Sequence, residues 1–351
     1  MRPFSNNYLP MREGKELILA TKPYAKEIRW KSWMHTIVAM ILLGGCLAGT
    51  FLAGNVWGKL LCSIGAAAML ARFFIIFHDF QHHTILNRSR VANVIFTAFG
   101  AYMITPPSIW KRSHDHHHNH NSKLFSASIG SYPIMTKQKF IEADRSERFS
   151  YLAVRHPLTM VLAYFTMFLY GMCVQSFFSS PRKHWDSLVI TILHVAIAVA
   201  IFTHFGALQW FCTFFLPFFL SHMFGAYLFY AQHNFPGVVF QCNKDWNYSK
   251  AALESSSFMK MNPVMNWITA NIGYHHIHHL SSRIPFYRLP EAMRGLPELQ
   301  HPKITTLHPR DIIACLKLKV WDPEQNRMLT MAEVKAAMET VADAQLAPER
   351  V

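Results

Sequence analysis

The sequence predicts an all-α integral membrane protein: two transmembrane helical hairpins beneath a cytosolic helical cap. Three observations carry that reading. Paired apolar runs are each near the length that crosses a bilayer. The chain from Ser187 to Asn243 contains no Asp, Glu, Lys or Arg. Most of the 21 histidines gather in clusters near the ends of those runs. Composition agrees, since 51% of the 351 residues are hydrophobic and only 15% are charged, against roughly 25% charged in soluble proteins. With a mean hydropathy of +0.12, this is a bilayer protein with a substantial polar portion.

Residues 33–54 and about 60–77 each approach the ~20 apolar residues that a spanning helix needs. They are joined through Gly54-Asn55-Val56-Trp57-Gly58, which makes a first hairpin. Residues 188–204 and 207–231 read as a second, turning at Gly206-Ala207-Leu208-Gln209-Trp210. A fifth apolar stretch, 157–178, poses a problem of parity, because a full span there would separate the histidine clusters onto opposite sides. Arg182 and Lys183 follow it, and Lys/Arg-rich loops prefer the cytoplasm, whereas both hairpin turns are short and nearly uncharged. The consistent solution makes 157–178 interfacial or re-entrant, together with the run 91–108, which Pro106-Pro107 breaks. Both termini and every cluster then face the cytoplasm. In the charged tail, an amphipathic helix is expected near 331–345.

The net charge of +14, from 34 Lys+Arg against 20 Asp+Glu, lies outside the spans. That placement argues for topology and anionic headgroups rather than nucleic acid. None of the six cysteines forms a Cys-x-x-Cys pair, which argues against an iron–sulfur cluster or zinc knuckle. The first 30 residues lack the apolar core of a signal peptide.

The histidines are ordered at helical spacing. His78-Asp79-Phe80-Gln81-His82-His83 lies at the inner end of the second span. Residues i and i+4 share a helix face, so His78 and His82 can point at one metal. His83 is turned about 140° from His78 on an ideal helix and fits less well. In the run His114 to His120, one register satisfies His-x-x-His-His: His114, His117 and His118. The third cluster has one such register too, His275, His278 and His279. His233, just past the last span, sits at the same depth. His116, His120 and His276 fall off these faces and read as solvated or secondary. His35, His194, His204 and His222 lie in or near spans and read as structural.

Such a supply of imidazoles exceeds what one ion can hold, and suits two metals with four or five nitrogen ligands each. Imidazole also suits zinc, copper and nickel, although the absence of nearby thiolates argues against structural zinc. Asp79 and Asp115 sit inside the clusters, where a carboxylate can accept the outer ring N–H of a ligand and fix its tautomer.

The patterns His78-x-x-x-His82-His83, His114-x-x-His117-His118 and His275-x-x-His278-His279 resemble the three histidine boxes of membrane fatty-acid desaturases. The stretch NIGYHHIHHLSSRIPFYRL (271–289), AQHNF around His233, and LKLKVWDPEQNRM (316–328) are similar to the delta-12/omega-3 acyl-lipid branch. The resemblance implies a His-ligated, non-haem di-iron site, held by those nine box histidines, with His233 as the tenth candidate. It implies dioxygen as co-substrate and a cis double bond made in the acyl chain of a membrane lipid. No His-Pro-Gly-Gly haem motif occurs, so electrons are expected from a separate ferredoxin or cytochrome b5 and its reductase. The same ligation serves acyl, alkane and carotenoid hydroxylases, and the histidines alone do not separate these from a desaturase. A metal transporter would need ionisable residues at the bilayer midplane, where only Arg72 lies deep in a span. The resulting division is a cytosolic segment 1–32, a membrane desaturase domain 33–280, and a cytosolic part of the cap with the tail, 281–351. A bacterial inner membrane is the expected location.

Overall fold

A computed structural model describes residues 11–124, 131–242 and 244–346. Helix α1 (Arg29–Leu52) runs into α2 (Val56–Gln81) through a turn tighter than the sequence indicates. Asn55 caps α2, its side chain accepting from the Gly58 N–H at 2.8 Å. Val56, Trp57 and Gly58 are therefore already helical, because the cap satisfies an otherwise orphaned donor. The two helices lie antiparallel and close. Cys62 Sγ rests over Gly49 and Cys46 Sγ over Gly65, where any added Cβ would collide with sulfur. Small residues permit this approach between membrane helices, and Ile41, Leu52 and Leu61 face outward.

Helix α3 (Arg90–Tyr102) opens on a Ser89 cap, and α4 (Pro107–Asn119) opens on proline at its first position. Proline suits that position, since the N–H it lacks would have no helical partner. The run 91–108 is thus broken at the prolines, as expected. The stretch 157–178 is not one continuous α-helix. After a short helix Pro157–Val161, residues Tyr164–Gln175 form α5, a π-helix. Such widened helices are rare beyond a single turn and cluster at functional sites.

Helix α6 (Trp185–Trp210) continues through a π-turn at Phe211–Phe215 into α7 (Leu216–His233). The reversal falls on one residue, Gly206, at φ +82° and ψ 172°, a conformation that glycine alone adopts without strain. Residues 207–210 are helical rather than turn. Folding back brings Phe202 against Trp210 and His194 against Phe214, with ring centroids 6.2 and 4.7 Å apart. This turn packs against the first one: Thr50 Oγ1 lies 2.5 Å from Thr213 Oγ1, and Lys59 Nζ donates to Gln209 Oε1 at 2.9 Å. Both turns therefore share one end of the bundle, and the histidines occupy the other. Among the described residues three helical stretches are long and apolar enough to cross a membrane: Arg29–Leu52, Val56–Gln81 and the folded-back Trp185–His233.

The cap departs from the all-helical expectation. Beside α8 (His275–Leu280), strand β1 (Phe258–Lys260) pairs in parallel with β2 (Ile304–Thr306). Strand β3 (Leu318–Asp322) pairs antiparallel with β4 (Arg327–Thr330). Short β-branched and aromatic runs favour these strands, and Asn326 supplies the left-handed residue (φ 49°) in the second connection. Beneath β1, the Met259 N–H donates to the Gly273 carbonyl at 2.8 Å. A Cβ at position 273 would overlap the Met259 carbonyl oxygen, so the residue two before His275 must be glycine. The tail helix is present at Met331–Leu346. The ends of the expected outer segments, 1–10 and 347–351, lie outside the described residues.

A fully buried guanidinium joins cap to bundle. Arg155 Nη1 donates to the Pro133 carbonyl at 2.9 Å, and Nη2 donates to Asn234 Oδ1 at 2.5 Å and to Tyr230 Oη at 3.3 Å. Asn234 in turn donates to the Cys315 carbonyl at 2.7 Å, and Lys319 Nζ to the Arg155 carbonyl at 2.6 Å. Each buried acceptor left unpaired costs about 1–3 kcal/mol. Arg155→Leu is therefore expected to destabilise the fold by roughly 2–5 kcal/mol, read as a lower melting temperature in detergent. A wild-type melting temperature would show that these contacts contribute little.

Candidate metal centre

Nine of the ten candidate ligands converge, as two groups: His78, His82, His114, His118 and His278; and His117, His233, His275 and His279. Within each group the candidate ligand atoms all lie within 4.8 Å of one another. Helix α2 ends in the first group and α7 in the second, while α4 and α8 serve both. The His-x-x-His-His pattern does not form one three-ligand face. In α4 the i and i+4 residues, His114 and His118, join one group, and His117 joins the other. In α8 His275 and His279 join one group and His278 the other. The reason is angular: neighbours i+3 and i+4 diverge by about 100° around a helix, so they straddle a line between two centres.

The contacts are made by the Nε2 atoms. In the first group His82 and His114 approach to 2.9 Å, His114 and His118 to 3.1 Å, and His118 and His278 to 3.2 Å. In the second, His117 and His233 are 3.1 Å apart, His233 and His275 2.8 Å, and His275 and His279 3.1 Å. Two nitrogens held about 2.0–2.1 Å from one ion at roughly 90–110° are about 2.9–3.4 Å apart. The spacing therefore fits ligands of a common ion, and a set composed only of imidazoles suits a transition metal.

Burial supplies the required protonation state. It holds His82, His114, His117, His118, His275, His278 and His279 well below the usual histidine range, with neighbouring histidines pushing the same way. All are neutral near pH 7, with lone pairs free for a metal. The His233 Nδ1–H donates to the Ser255 carbonyl at 3.2 Å, which fixes its tautomer with Nε2 inward. His117 Nδ1 lies 2.9 Å from Ser131 Oγ.

Two sequence expectations need correction, and a third is narrowed. His83 is exposed at φ 57° beyond the end of α2 and belongs to neither group, because the helix ends before it and turns its ring outward. Asp115 accepts from Lys111 Nζ at 2.7 Å on the outer face of α4 rather than supporting a ligand. Of the two readings of His276, solvated or secondary, burial excludes the first: its Nε2 lies 3.3 Å from the Leu299 carbonyl oxygen, and burial lowers it to about 4. Asp79 does lie at the site. Its Oδ1 is 3.4 Å from His78 Nδ1, and its Oδ2 accepts from the Phe286 N–H at 2.8 Å, fastening the cap to α2. Sequence reading missed Gln232, Tyr248 and Ser131. Gln232 Nε2 donates to the Ile272 carbonyl at 3.0 Å, and Tyr248 Oη to the His279 carbonyl at 2.7 Å. Only the adjacency of Gln232 to His233 hinted at any of them.

Beneath the two groups lies a cavity of about 610 Å³, with His78, His114 and His275 in its wall. Its remaining lining is mainly apolar, including Phe74, Ile75, Trp110, Met167 and Phe229. Trp110 stacks on His114 at 4.9 Å, one turn apart on α4.

The profile of a family described as "Fatty acid desaturase" matches residues 54–310, most of the chain and every ligand candidate. The chain belongs to the fatty acid desaturase family. It is an oxidoreductase of lipid metabolism. It is 30% identical over 271 residues to a "Fatty acid desaturase" of Bacillus subtilis, covering 77% of this chain and 76% of that one. It is 24% identical over 278 residues to an "sn-1 oleoyl-lipid 12-desaturase" of Anabaena variabilis, covering 77% of each. A chloroplastic "Omega-3 fatty acid desaturase" of Brassica napus is 24% identical over 279 residues, covering 75% and 67%. These relatives place the desaturase in the delta-12/omega-3 branch.

Burial of its histidines makes the metal-free desaturase sensitive to acid. Unfolded histidines titrate near 6.5, so below about that pH the unfolded chain binds protons that the folded protein refuses, and stability falls as pH falls. Each such histidine removes up to ~1.4 kcal/mol per pH unit below that value. The melting temperature of metal-free protein is expected to drop steeply between about pH 7.5 and 5.5, and a flat profile would contradict buried neutral rings.

Proposed function

We propose that this enzyme is a di-iron, O2-dependent desaturase that places a cis double bond in the acyl chain of a membrane lipid, as the 12-desaturases do. One observation carries the reading: an apolar, chain-sized cavity has ligand candidates of both groups in its wall. Unactivated methylenes offer acid–base groups nothing to hold, so a cofactor must carry the chemistry. The nine histidines would hold two iron ions, which supply dioxygen activation when bound. Removal of two hydrogens from adjacent methylenes, with two electrons and two protons from outside, reduces O2 to two waters. A separate ferredoxin or cytochrome b5 would deliver the electrons.

The chain's own residues do the rest. Phe74, Ile75, Trp110 and Phe229 exclude water from the reacting carbons, which protects reactive species and strengthens every polar contact. Trp110, stacked on His114, fixes the wall against which the chain lies. Ser255 and Ser131 hold the outer nitrogens of His233 and His117. Both hairpins would span the membrane with termini and histidines on the cytoplasmic side of a bacterial inner membrane. The helix pair 157–161 and α5 would lie at the interface, beside the cavity.

His117→Ala and His278→Ala each remove one ligand, from different groups. Each is expected to abolish the new double bond, measured by gas chromatography with mass spectrometry of host fatty acids, and to lower bound iron. Membrane insertion, which depends on the spans, is expected to persist. His83→Ala is expected to keep both iron and product. A hydroxylated product would move the enzyme to the oxygenases, and full activity in either ligand variant would overturn the assignment.

A further inference from the structure

The cavity has an open side and a closed end. On the open side Val154 is 43% and Tyr170 59% exposed, and Gln175 and Ser179 are exposed as well. At the closed end His222, Ser221 and Met103 are buried. Along α7 the wall runs from Gln232 through Phe229 and Gly225 to His222. At about 1.5 Å rise per residue, His222 lies roughly 16 Å along the helix from His233.

This end is firmly built. The His222 Nδ1–H donates to the Phe218 carbonyl at 2.7 Å, and the Phe168 ring meets the imidazole edge-on at 4.3 Å. Just above it Gly225 faces the cavity, and a Cβ there would meet nothing within 4 Å. Nothing in its backbone conformation requires glycine, because it lies inside a regular helix. Leaving out a side chain at this position keeps the bore open.

We propose that the distance from the histidine groups to the His222–Phe168 floor selects which methylene pair is oxidised, and that Gly225 admits the methyl-terminal part of the chain to that floor. This rests on the reading of the cavity as the acyl-chain site. A charged headgroup cannot lead into a closed apolar end without losing its hydration, so the methyl end goes in first. A higher floor then moves the reacting carbons toward the methyl end, and a lower floor moves them away from it.

The unaltered enzyme, Gly225→Leu and His222→Ala are expressed in one host, and double-bond positions are mapped by mass spectrometry of derivatised fatty acids. Gly225→Leu is expected to shift the new bond at least one carbon toward the methyl end, and His222→Ala to shift it the opposite way. Should Gly225→Leu give no product, Gly225→Ala adds a single methyl and is expected to raise the share of product whose double bond lies nearer the methyl end. Wild-type double-bond positions in the variants that make product would overturn the inference while leaving the enzyme a desaturase. A wild-type enzyme producing no new double bond, with electron donor supplied, would instead remove the acyl-cavity reading itself.

Discussion

Nine imidazoles with their Nε2 atoms turned inward must share one desolvated space, and the rest of the molecule is arranged around that demand. Rings brought to about 3 Å of one another cannot carry charge, so they must be buried deeply enough to stay neutral. Burial on that scale requires walls on every side. Here α2 and α7 rise from the bundle, and α4 and α8 close over them. No single segment carries a complete set: each group draws its members from three helices, which makes the centre a product of the tertiary fold.

The positions of those helix ends are held by polar contacts that touch no ligand atom. Asp79 accepts from the Phe286 backbone, Gln232 donates to the Ile272 carbonyl, and Tyr248 donates to the carbonyl of His279. Arg155 and Asn234 lock the end of α7 against β3 in the same manner. Several of these side chains neighbour a candidate ligand in sequence, so the stabilising network and the candidate metal site occupy the same few segments. Gly273 completes this arrangement, since only a residue without a Cβ lets the chain before His275 pass under β1.

The polar centre and the apolar cavity depend on each other. Histidines of both groups line one and the same space. The widened helix α5 and the bare face of α7 at Gly225 enlarge that space, and the buried ring of His222 ends it. An intramembrane histidine that reads as merely structural in sequence thus takes on a definite place.

The sequence by itself determined the mainly helical class, the apolar stretches long enough to cross a membrane, and nine of the ten histidines that the fold gathers into two groups. Each of these follows from local rules: apolar length against bilayer thickness, and side chains recurring at helical intervals. It also placed Pro106-Pro107 as a break and Gly206 within a turn, because those residues restrict or free the backbone wherever they occur. Tertiary structure decided the rest. Which histidine serves which group depends on the relative rotation of four helices, and the exclusion of His83 depends on where α2 ends. Parallel pairing of β1 with β2 joins residues more than forty positions apart, beyond any local signal. The depth of the cavity is set where α3, α5 and α7 meet, a distance between elements that no periodicity within one element encodes.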